Sequence, residues 1–156
     1  MNAEDRFVAS LTKNWKARPS MPVGPGDDCA VIVAGKERLL FKTDAVVEGV
    51  HFTARTPGKL AGRKALARVV SDAAAMGGRP THALVTLALP PRFSRARIAA
   101  IYAGIEAVAR EHGIALAGGE TTRAPQLLLS ISLVGTLPQK PLLRSGGRPG
   151  DDLWVT

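Results

Sequence analysis

Five carboxylates stand beside residues that let a backbone turn or come close. Asp27 and Asp28 lie in Gly24-Pro25-Gly26-Asp27-Asp28-Cys29, Asp44 in Lys42-Thr43-Asp44, Asp72 after Ser71, and Glu120 in Gly118-Gly119-Glu120-Thr121-Thr122. A hard cation such as Mg²⁺ takes oxygen ligands of this kind, on short side chains with accessible backbone. Bound metal ions in turn hold phosphates. If Asp28, Asp44, Asp72 and Glu120 serve one such centre, their carboxyl groups should lie within about 10 Å of one another. Each motif also has a plainer reading. Gly, Pro and Asp make surface turns, Thr43-Asp44 reads as a strand-end turn, and the Gly118–Gly119 segment reads as a loop. Asp72 is harder to dismiss. It falls near the C-terminal end of an Ala-rich helix, where the dipole disfavours an anion. Its partner is expected to be either Arg68, at helical spacing, or a metal ion. His51, beside Phe52, is as often structural as functional. Arg144 could offer a guanidinium fork to phosphate.

The elements that carry these residues follow from periodicity. Residues 4–16 read as a short helix with Phe7, Val8 and Leu11 on one face. Residues 30–33 and 38–42 read as strands around a turn at Gly35-Lys36, and 48–52 as an extended segment. A helix is expected over 59–76, ended by Gly77-Gly78. A second is expected from the Ser94 cap to His112, with Ile98, Ile101, Ile105 and Val108 as its stripe. Residues 82–89, 114–117 and 127–137 read as strands, and Leu153 to Thr156 as the opening of another. The fold class is α/β (α+β): a mixed, mainly antiparallel sheet of about four strands with two long helices on one face. The other face is apolar enough to suggest a homodimer formed sheet to sheet.

The 156 residues suffice for one domain with a core, and 46% are hydrophobic and 22% charged, as in globular proteins. Net charge is +8. That invites a nucleic-acid partner, but the basic residues are dispersed, which suits small polyanions such as nucleotides equally well. A single cysteine excludes an internal disulfide. No apolar run approaches a membrane span, and the acidic N-terminus is unlike a signal peptide. The expectation is a cytoplasmic protein with neither nucleic acid nor membrane as partner. No P-loop, kinase catalytic loop, zincin helix or cysteine zinc spacing occurs.

Taken in order, the motifs resemble the thiamine-monophosphate kinase family of the aminoimidazole-ribonucleotide-synthetase-like superfamily. The resemblance rests on Gly26-Asp27-Asp28-Cys29-Ala30-Val31, Thr43-Asp44, Val47-Glu48-Gly49-Val50-His51-Phe52, Ser71-Asp72-Ala73-Ala74-Ala75-Met76-Gly77, Gly118 to Arg123, and Leu143-Arg144-Ser145-Gly146. It implies ATP-dependent phosphorylation of thiamine phosphate to thiamine diphosphate with Mg²⁺, and no side chain acting as catalytic base. By motif, Asp28, Lys42 (through its backbone), Thr43, Asp44, Asp72 and Glu120 would be metal ligands. Tyr102, Gly119, Glu120 and Arg144 would contact ATP, and His51 the thiamine phosphate. The family usually has Asp at the position of Glu120 and Ser or Thr at that of Lys42. A lysine there is expected to point away from the metals. The domain reading is a helix and linker over 1–22, the ATP/Mg-binding domain over 23–150, and the start of an absent second domain over 151–156. Rival readings are another enzyme of the superfamily (a purine-pathway cyclo-ligase), a basic nucleic-acid-binding module, or a silent dimerisation module.

Overall fold

The computed structural model describes residues 3–16 and 18–152. The strand expected from Leu153 to Thr156 lies outside the described residues. In chain order the elements are α1 (Ala3–Thr12), β1 (Ala30–Ala34), β2 (Glu37–Val47), α2 (Gly58–Ala75), β3 (Arg79–Leu89), α3 (Arg95–His112), β4 (Ala115–Arg123) and β5 (Leu128–Thr136). The five strands form one sheet in the order β1-β2-β5-β3-β4. Every pairing is antiparallel except β3 with β4, which are parallel and joined through α3. The expected class is met, with five strands where about four were expected.

Two departures bear on function. β2 does not stop before Thr43-Asp44. It runs on to Val47, paired residue for residue with β5, so Asp44 sits opposite Ile131 in mid-strand. And Gly118 to Arg123 is not a loop but the body of β4, with Glu120 opposite Thr86.

Alternation along the strands separates two faces. Leu129, Ile131 and Leu133 on β5 and Val85 and Leu87 on β3 point to the buried side. There they meet Leu66, Val69 and Ala73 of α2 and Ile101, Ile105 and Val108 of α3 in one core. The two helices approach closely. A Cβ on Gly62 would collide with the Ile101 carbonyl, and one on Gly104 with the Lys59 carbonyl. α3 begins where Ser94 Oγ accepts the Arg97 N–H at 3.3 Å. The other face is open. It carries exposed Phe41 and Leu84 beside a hydroxyl ladder, Thr43 Oγ1 lying 3.3 Å from both Ser130 Oγ and Ser132 Oγ. α1 keeps its apolar stripe of Phe7, Val8 and Leu11 exposed. Among the described residues no helix is long and apolar enough to cross a membrane.

Candidate functional site: an acidic cluster at the end of α2

Four segments meet at the C-terminal end of α2. The Cys29 N–H donates to Met76 Sδ at 3.0 Å, which brings the 26–28 turn against the helix end. The Leu142 N–H donates to the Met76 carbonyl at 3.2 Å. Two residues on, the Arg144 N–H donates to the Asp27 carboxylate at 3.3–3.4 Å. From the sheet, β2 contributes Lys42 and Asp44, which share a face because they are two residues apart on one strand.

The ion pairs here differ from both readings of Asp72. Arg68 does not pair with Asp72; its Nε lies 3.5 Å from Asp44 Oδ2. Nor does Lys42 point away. Its Nζ lies 2.5 Å from Asp72 Oδ2 and 3.5 Å from Asp44 Oδ1. Burial alone would lower the Lys42 pKa, but the hydrogen bond its ammonium donates to Asp72 and the charges of Asp44 and Asp72 outweigh it, and the net shift is upward.

Cys29 registers the same field. Burial first, then the charges of Asp72, Asp28 and Asp27, push its thiol up to about 11 against the pull of Lys42. Alkylation by iodoacetamide at pH 8 is therefore expected to run at least about 100-fold slower than in the unfolded chain, rising about tenfold per pH unit. A rate already level by pH 9 would show that burial and the neighbouring acids do not hold the thiol up. The folded thiol holds its proton above the unfolded value of about 8.5. Its contribution to stability is thus complete below that pH and drains away as pH rises towards about 11.

The remaining candidate residues lie elsewhere. Registers place Asp44, Ile131, Val85 and Gly119 in one row across the sheet, and Ala45, Ser130, Thr86 and Glu120 in the next. Glu120 is therefore three strands from Asp44, about 14 Å at ordinary strand spacing, and in a row of the opposite face. Thr43, with its hydroxyl ladder, is also on that face. Tyr102, Gly119 and Glu120 line a separate cavity of about 300 Å³ between α3 and edge strand β4. Gly119 has φ +155, and a Cβ there would strike the Val85 backbone. The expected gathering of four acids in one chain thus does not occur. Among the described residues no three His, Cys, Asp or Glu side chains form a set that could hold a metal ion. Asp44 and Asp72 have the right donor chemistry, but while Lys42 fills the space between them they do not fit a divalent ion.

His51 is committed locally. Its Nδ1 accepts the Val47 N–H at 3.1 Å, which makes Nδ1 the unprotonated nitrogen, and its carbonyl accepts Lys64 Nζ at 2.5 Å. The adjacent Glu48 forms a tight ion pair with Arg97 at 2.6 Å. The sequence reading missed that pair, since nothing local links residues 49 positions apart.

A mostly antiparallel sheet with two helices on one face defines the class of the chain, which belongs to the AIR synthase related protein, N-terminal domain, family: residues 26–137 match it. Within that class, the thiamine-monophosphate kinase of Rhodopirellula baltica is 38% identical over 98% of this chain and 51% of its own length. That of Bacillus subtilis is 36% identical over 96% and 47%. The solved structure of AaThiL complexed with AMPPCP and TMP superposes with a TM-score of 0.83 at 27% identity, covering 95% of this chain and 47% of that one. The chain spans about half the length of the curated relatives it matches.

Proposed function

We propose that this chain is the nucleotide-binding half of a thiamine-monophosphate kinase, which transfers the γ-phosphate of ATP to thiamine phosphate. The observation that carries the reading is the 38% identity to a kinase of that name over 98% of the chain. The geometry agrees with it. Arg144 is held beside the acidic cluster by its backbone bond to Asp27, leaving its guanidinium available to a phosphate. Tyr102 and Gly119 border a cavity at the β4 edge of the sheet, where the absence of a Gly119 side chain lets a ligand approach the backbone. Phosphoryl transfer to an acceptor that is already an anion depends on positioning and electrostatics rather than on a base. ATP is proposed as the co-substrate with Mg²⁺ as its accompanying ion, and Asp28, Thr43 and Glu120 are the candidate oxygen donors not engaged by Lys42. When bound, such an ion neutralises charge on the phosphates.

Two copies packed on the open face would cover its exposed Phe41 and Leu84 and place the Thr43 and Glu120 rows of both copies in the interface, while Lys42, Asp44 and Asp72 stay on the helix side. We expect a homodimer, read by sedimentation at micromolar concentration; a clean monomer counts against it. Mg·AMPPCP should raise the melting temperature in proportion to the logarithm of its concentration above Kd. Arg144→Ala and Tyr102→Ala should each weaken that response about tenfold or more in apparent Kd. A melting temperature indifferent to millimolar nucleotide ends the proposal.

A further inference from the structure

We infer that Lys42 is a resident cation of the Asp44–Asp72 pair: its ammonium stands where a divalent ion would stand and keeps such an ion out. One nitrogen reaches both carboxylates, at 2.5 Å to Asp72 Oδ2 and 3.5 Å to Asp44 Oδ1. Arg68 adds a second positive charge on the far oxygen of Asp44. The two carboxylates thus face two cations and are neutralised before any metal arrives. A Mg²⁺ ion bridging them would need an oxygen of each at about 2.1 Å, which is the space the ammonium fills. It would also sit within about 4 Å of a like charge, a strongly unfavourable neighbour.

The fold supplies a reason for a tethered cation at this place. The C-terminal end of α2 carries the negative pole of its dipole, and no Lys, Arg or His of its own last turn offsets it. Asp72 adds a full negative charge one turn from that end. The lysine side chain is only partly exposed, at 20%, and so is Asp72, at 26%, so the pair is shielded from screening by solvent. Lys42 delivers one positive charge from the facing strand with no loss of translational freedom, which a free ion would have to give up. The inference concerns the chain with metal alone and does not depend on what nucleotide or acceptor it uses.

The test is a Mn²⁺ titration without nucleotide, followed by the electron paramagnetic resonance signal of free Mn²⁺. It compares the parent chain with Lys42→Thr, which swaps the ammonium for an oxygen donor, and with Lys42→Arg, which keeps a cation. The parent and Lys42→Arg are expected to show no site tighter than the millimolar range. Lys42→Thr should gain one ion bound at least about tenfold more tightly. It should melt lower than the parent without metal and recover with Mn²⁺. Adding Asp72→Asn to Lys42→Thr should remove the gained site. The inference is overturned if the parent binds Mn²⁺ as tightly as Lys42→Thr, or if Asp72→Asn in the parent abolishes a submillimolar site, because Lys42 then yields to the metal. Should Lys42→Thr fail to fold, the parent titration with its Asp72→Asn control still decides. Nucleotide binding that persists while these outcomes fail would leave the kinase reading standing, and the reverse would remove it alone.

Discussion

Given ATP, Mg²⁺ and thiamine phosphate, residues 1–156 should produce thiamine diphosphate at least about a thousandfold more slowly than an intact relative of twice the length, such as the Bacillus subtilis kinase. Holding two reactants in line supplies roughly 7–11 kcal/mol of barrier lowering in a well-built site, and losing even part of it removes several powers of ten in rate. The groups described here gather at one helix end and along one edge strand. They are the groups proposed to hold the triphosphate, but His51, the residue expected to face the acceptor, spends Nδ1 on the Val47 N–H. The matched relatives devote a further half of their length to something this chain does not span. Nucleotide affinity should therefore survive where turnover does not. Single-turnover assays with labelled ATP, run beside the thermal titration, separate the two. Turnover within tenfold of the intact relative would show that the acceptor site lies in these residues after all.

What could be read from the sequence, and what could not, divides along the range of the interactions. α3 was legible because its signals are local: a capping serine, a 3.6-residue stripe and a closing glycine. Asp72 was legible as a charge in need of a partner, since its apolar helical neighbours are adjacent in sequence. Its true partner was not, because Lys42 comes from another element. A clue was nonetheless present. Lys42 and Asp44 are two apart on a strand, so if Asp44 faces the helix then Lys42 must too. The error at Asp44 itself was to end β2 at Lys42. Thr and Asp look like a strand terminus, and the continuation to Val47 is imposed by β5, more than 80 residues away in the chain. The Gly118 to Thr122 segment failed for the same reason. Two glycines read as a loop until the parallel neighbour β3 is in place. Convergence of all four acids was the natural extrapolation from motif order, but a sheet has two faces, and register assigns Glu120 to the one that Asp44 does not use.

That assignment hangs on a close backbone contact, and the contact can be tested by adding one methyl group. Gly118 and Gly119 both adopt positive φ, +119 and +155, so alanine is strained at either. They differ in space. A Cβ on Gly118 meets nothing within 4 Å, whereas one on Gly119 would run into the Val85 carbonyl, which is backbone of β3 and cannot swing aside. Gly118→Ala should cost about 1–3 kcal/mol for the strain alone. Gly119→Ala should cost that and roughly 1–3 kcal/mol more for overpacking against an immovable neighbour, relieved only by peeling the edge strand away. Peeling β4 would displace Glu120 and open the Tyr102 cavity, so the nucleotide-dependent thermal shift should fall in Gly119→Ala and persist in Gly118→Ala. Urea midpoints give the first difference and AMPPCP titration the second. Equal destabilisation by the two alanines would mean that conformation, and not the approach of β4 to β3, governs this strand. A nucleotide response unchanged in Gly119→Ala would place the nucleotide away from β4 altogether.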